Sequence, residues 1–124
     1  MLRAGEGLSS LGKYFERSRE MKYLIKIEWP NERGNKLVGD PKFGEKMQAL
    51  LKELKAEAAY FSTVEGHRGG YIVVNMDDAS QMPAIGEPLF QWLNASVKFI
   101  PVMLPEELAK AGPAIAAAVQ KWGR

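Results

Sequence analysis

A chain of 124 residues, 46% apolar and 26% charged, is long enough for one hydrophobic core and too short for two domains of ordinary size. Its net charge of +2, spread along the chain, does not make the basic surface that holds nucleic acid phosphates. Cysteine is absent, which excludes disulfides, thiolate nucleophiles and sulfur-based zinc sites and fits a reducing compartment. No apolar run approaches the roughly 20 residues that span a bilayer, and no secretory signal opens the chain, so the expectation is a cytoplasmic protein with no membrane partner.

Residues 1–20 carry three glycines and mixed charge, with Leu8, Leu11 and Tyr14 or Phe15 at loosely helical spacing. They read as a flexible extension before a domain that begins at Met21, or as a short helix that docks on a partner. From Met21 the pattern is regular. Residues 22–29 alternate as a strand, Asp40-Pro41 signals a helix start, and Phe43, Met47, Leu50, Leu51 and Leu54 form one apolar stripe.

Two strands follow, 58–64 and 70–76, joined by the glycine-rich turn at 65–69. Asp77 and Asp78 open a second helix with Met82, Ile85, Leu89, Phe90 and Leu93 inward, kinked or divided by Pro83, Gly86 and Pro88. Residues 96–103 make a fourth strand, which Pro101 assigns to a sheet edge. A terminal helix starts near Pro105, breaks at Gly112-Pro113 and ends at Gly123.

The order β-α-β-β-α-β plus a terminal helix predicts an α+β fold of the ferredoxin-like kind, with a four-stranded antiparallel sheet in the order 4-1-3-2. Strand parity then separates two faces. Tyr23, Ile25, Ile27 and Trp29, with Ala59, Phe61, Thr63, Ile72, Val74, Met76, Val97, Phe99, Pro101 and Met103, belong under the helices, since right-handed crossovers place both helices on one side. Met47, Met76, Met82 and Met103 are all assigned to the core.

The other face is mixed. It combines Leu24, Val64, Tyr71, Val73, Ile100 and Val102 with Lys26, Glu28, Tyr60, Ser62, Asn75 and Lys98. So apolar a face is poorly left in water, and its charges are costly in a dry core, so something covers it and leaves a hollow. With strand 1 taken as parallel to strand 3, the polar ends converge. The predicted ligand-binding site is a corner of Glu28, Lys98, Asn75 and Tyr60, with Lys26 and Ser62 nearby.

If that corner is catalytic, Glu28 serves as base beside a carbonyl, and Lys98 or Tyr60 steadies the enolate. The competing reading is a structural ion pair between Glu28 and Lys98. His67, the single histidine, is placed in an exposed turn on the order of 15 Å from Asn75 along the strand and outside the site. Asp77-Asp78 reads as helix capping, no phosphate-binding or metal motif is present, and no cofactor is called for.

Three segments, EGHRGGYIVVNMDD, IGEPLFQWLNASVKFIPVM and PEELAKAG, resemble an uncharacterised bacterial domain-of-unknown-function group. From Met21 to about Gly123 the chain is similar to the dimeric α/β-barrel superfamily of muconolactone isomerase and cofactor-free antibiotic-biosynthesis monooxygenases. The resemblance implies a homodimer whose two sheets form one barrel with the mixed face inward, and a small-molecule ligand inside it. It carries no catalytic motif over, because active members differ in their key residues. Two alternatives stand beside it. One is a non-catalytic assembly protein that docks partners on its N-terminal segment and on Leu108, Ile115, Val119 and Trp122; the other is a monomer whose terminal helix folds over its own mixed face.

Overall fold

The computed structural model describes residues 20–123; both readings of residues 1–20 concern a segment that, Glu20 apart, lies outside them. Four strands, β1 (Met21–Trp29), β2 (Ala58–Val64), β3 (His67–Met76) and β4 (Ser96–Val102), form one sheet in the order β2-β3-β1-β4. Every neighbouring pair is antiparallel. The helices are α1 (Asn31–Val38), α2 (Phe43–Glu53), α3 (Met82–Leu93), α4 (Pro105–Lys110) and α5 (Gly112–Trp122). The chain is thus α+β, with an element order consistent with a ferredoxin-like fold.

One direction differs from the sequence reading. β1 runs antiparallel to β3, because each helical crossover links strands of equal direction and the β2-β3 hairpin then reverses the chain. The hairpin turn is also shorter than the glycine-rich segment suggests. Glu65 and Gly66, at φ 53 and φ 81, make the whole connection, in the double left-handed geometry that matches strand twist. His67, Arg68 and Gly69 are strand residues as a result.

Ile25, Ile27, Trp29, Ile72, Val74 and Met76 form the buried face of the sheet, against Met47 and Leu50 of α2 and Ile85, Leu89 and Leu93 of α3. The parity argument holds in the two central strands and weakens at the edges, where Phe61, Thr63 and Pro101 are exposed. Met82 and Met103 are exposed as well, so only Met47 and Met76 of the four methionines are core. An edge strand has a neighbour on one side only, so its side chains are less covered than those of the two central strands.

No sequence pattern signals α1. Its sequence, NERGNKLV, buries only Gly34 and Leu37 and so lacks an apolar stripe, and no side chain caps its start. Asp40 does not cap α2; its side chain accepts from the Lys42 backbone N–H at 2.9 Å in the turn before that helix. Asp78 does cap, accepting from Ser80 N–H at 2.9 Å ahead of a short 3₁₀ helix at Ala79–Gln81. α3 then runs unbroken through Pro88 and closes at Asn94, whose left-handed backbone (φ 55) directs its N–H to Leu89 and Phe90 carbonyls.

The terminal helix is divided at Ala111, as the Gly112-Pro113 pair requires. Glu107 accepts from the Leu104 backbone N–H at 2.7 Å and fixes the start of α4. Neither α4 nor α5 contains a buried residue. The mixed face of the sheet is therefore not roofed by the chain's own terminal helix.

Candidate functional site

Antiparallel register assigns the mixed-face side chains to rows that cross all four strands. One row reads Tyr60, Tyr71, Lys26, Lys98, and the next reads Ser62, Gly69, Glu28, Ser96. Neighbours within a row are about 4.8 Å apart in the hydrogen-bonding direction. Lys26, Glu28 and Lys98 are thus brought together, while Tyr60 and Ser62 share their rows at the opposite sheet edge, three strand spacings or about 14 Å from β4. Asn75 does not join them: it pairs with Lys22, six positions further along β3 than Gly69, or about 20 Å at the usual strand rise. The reversed direction of β3 moves it to the opposite end.

His67 takes its place. Its Nδ1 lies 3.3 Å from Glu28 Oε2, so the partner of Glu28 is this imidazole and not Lys98. An ionised carboxylate can only accept, which puts the hydrogen on Nδ1 and leaves Nε2 with a free lone pair when the ring is neutral. The exposed position expected for the histidine is correct, and its distance from the site is not. The missed signal was the hairpin length, since a two-residue turn puts position 67 on the mixed face, one step beyond the Glu28 row.

Lys26 Nζ donates to Glu65 Oε1 at 3.0 Å. This hydrogen bond and its charge attraction raise the Lys26 ammonium above its ordinary value and hold the Glu65 carboxyl below the usual carboxylate range. Lys98 stands directly across from Lys26 in the register, and its charge also favours the ionised Glu65. Two ammonium groups opposite each other repel, and the carboxylates of Glu65 at the turn and Glu28 in the next row offset their charge. Lys98 thus stands one row from Glu28, on the strand beside it.

Around this polar patch the face is apolar. Leu24, Tyr71, Val73, Ile100 and Val102 are half-buried, and Tyr60 is 64% exposed. Val64 lies over Gly69, where an added Cβ would come within 3.0 Å of it, and so fills the space between Ser62 and Glu28.

At the far end Lys22 donates to Glu57 Oε2 at 2.6 Å, and the Asn75 side-chain amide donates to Glu57 Oε1. These two bonds lower the Glu57 carboxyl from its ordinary value, Lys22 contributing most. Asn75 thereby has a structural partner. Among the described residues no cluster of histidine and carboxylate side chains has the makings of a metal site. No helix among them is long and apolar enough to cross a membrane.

In comparison with known proteins, no family model, no curated protein and no solved structure matches the chain.

Proposed function

We propose that the protein is a homodimeric small-molecule binder or cofactor-independent enzyme, in which a second copy covers the mixed face and encloses the Glu28-His67 pair. The observation that carries this reading is that pair itself, on the same sheet face as Lys98, which the described terminal helices leave open. A second copy is the natural cover because a two-fold interface joins identical patches, and this patch is large, central and apolar around its charges. The resemblance to dimeric α/β-barrel proteins supports the same arrangement.

The chemistry such a chamber suits is isomerisation through an enolate. Nε2 of His67 takes a proton from carbon next to a carbonyl, Glu28 holds the ring and balances the imidazolium, and Lys98 faces the developing oxyanion. Return of the proton to a different carbon completes the reaction with no electrons gained or lost.

Native mass spectrometry of freshly purified protein tests the proposal, since it reports subunit number and retained small molecules together. A dimer with bound mass supports it, and a monomer overturns it. Where a substrate is found, Glu28→Gln lowers turnover by 10-fold or more, of the order usual for acid-base groups (about 10²–10⁴-fold); equal turnover reduces the reading to binding alone.

A second reading has its own observation. Leu108, Ile115, Val119 and Trp122 are all at least half exposed, with Trp122 at 75%, and the last three recur at helical spacing along α5. Such a stripe suits a non-catalytic assembly protein that docks a partner helix or groove. A dimer that survives Val119→Asp and Trp122→Asp, while capture of a heterologous partner is lost, favours it.

A further inference from the structure

On the helix side of the sheet a cleft of about 370 Å³ opens where α1 and α2 do not close over the ends of β2 and β3. That volume falls within the range of small-molecule sites, about 300–1,000 Å³. Phe61 of β2, Val38 of α1, Phe43 and Met47 of α2, and Trp29 and Arg68 of the two central strands line it. Phe61 is 52% exposed although it faces the helix side, so an aromatic ring is already presented to the opening.

Arg68 is half-buried and stands opposite Trp29 in the β1-β3 register. Its Nη1 donates to Asn35 Oδ1 at 3.1 Å, a neutral acceptor. Among the described residues no carboxylate reaches it at ion-pair distance. A partly desolvated guanidinium without a counter-charge favours an anion, and its planar fork matches a carboxylate.

Gly34 makes the arrangement feasible. A Cβ there would lie 2.8 Å from Arg68 Nη1 and 3.2 Å from Trp29 Cδ1, so guanidinium and indole edge share the space that this glycine leaves. The adjoining Nε1 of Trp29 is buried and has no acceptor.

We propose that this cleft binds an aromatic monocarboxylate, its ring among Phe61, Phe43 and Met47 and its carboxylate on Arg68. The apolar walls supply affinity through burial and ring contacts, and the guanidinium selects acid over neutral analogue. The site lies on the other side of the sheet from the Glu28-His67 pair and does not depend on the dimer.

The test titrates 2-naphthoate and its neutral amide, 2-naphthamide, into the full chain and follows the indole N–H NMR signal of Trp29. That signal is assigned by elimination with Trp92→Phe and Trp122→Phe. The expected result is a saturable shift with 2-naphthoate, at least tenfold weaker binding of the amide, and at least tenfold loss of acid affinity in Arg68→Gln with the amide unaffected. Absence of a saturable shift, equal affinity for acid and amide, or full acid affinity in Arg68→Gln overturns the proposal.

If Arg68→Gln does not fold, Phe61→Ala, at an exposed position, weakens acid and amide alike, and unchanged binding there overturns it too. Lys98→Gln separates the two faces: naphthoate affinity stays the same if the ligand is in the cleft, and its loss places the ligand on the sheet face and ends the proposal.

Discussion

His67 and Glu28, separated by 39 positions in the chain, meet at 3.3 Å on the mixed face of the sheet. The contact exists because the two-residue turn at Glu65-Gly66 starts β3 at His67, two residues before Gly69, the partner of Glu28 in the register. It fixes a testable tautomer. In ¹⁵N NMR of the single imidazole, the neutral ring carries its hydrogen on Nδ1 and leaves Nε2 bare; Glu28→Gln shifts the population toward the other tautomer. A spectrum with Nε2 protonated in the neutral wild type contradicts the pair.

The ion pairs of this face give stability a direction with pH. Glu65 and Glu57 have folded-state values below their unfolded ones, so their contribution is fully present above the unfolded carboxylate value, about 4.3, and is lost as pH falls through the folded value. Lys26 is raised, so its contribution is full below its unfolded value, about 10.4, and is lost as pH rises through the folded one. Melting temperature measured between pH 2 and 7 should fall less in Glu57→Gln and Glu65→Gln than in wild type. Parallel curves for all three proteins would remove the pairs from the account.

Gly66 has φ 81, where a side chain is strained, and nothing crowds the position. Gly66→Ala therefore costs about 1 kcal/mol through backbone conformation alone. Gly44, inside α2, also has open space around it, and Gly44→Ala should instead stabilise by about 0.5–1 kcal/mol. Urea unfolding of both variants measures the contrast, and the same sign for both would contradict the assigned turn.

Leu89 is fully buried between α3 and the sheet, and Leu89→Ala should lose about 2–5 kcal/mol by denaturant unfolding. Val119 is 62% exposed in the single chain. Val119→Asp leaves monomer stability within about 0.5 kcal/mol, as exposed substitutions do. If α5 docks on another molecule, light scattering shows the association weakened, while far-UV circular dichroism stays the same.

The sequence made the layers legible and the neighbours across them much less so. Alternation in β1 and β3 was clean, because both central strands are buried on one side, and Ile25, Ile27, Ile72 and Val74 sit where parity puts them. Parity is blind to strand direction, however. Which polar residues share a row depends on direction, and taking β3 as parallel to β1 brought Asn75 into the site and left His67 out. α1 was illegible because its single large core contact, Leu37, leaves no periodic stripe to detect. The Arg68 cleft was equally hidden, since Gly34, Trp29 and Arg68 come from three elements and none marks itself by spacing.

The two margins of the sheet are not equivalent. β4 carries Pro101, whose nitrogen has no hydrogen to offer, and since proline cannot donate into the ladder with β1 that nitrogen must face outward. β2 has no proline, and its row of free peptide groups runs beside exposed Tyr60 and Phe61. Unwanted strand addition between molecules, the first step toward fibrillar aggregates, would therefore begin along β2, where a single inserted lysine or proline is the natural remedy.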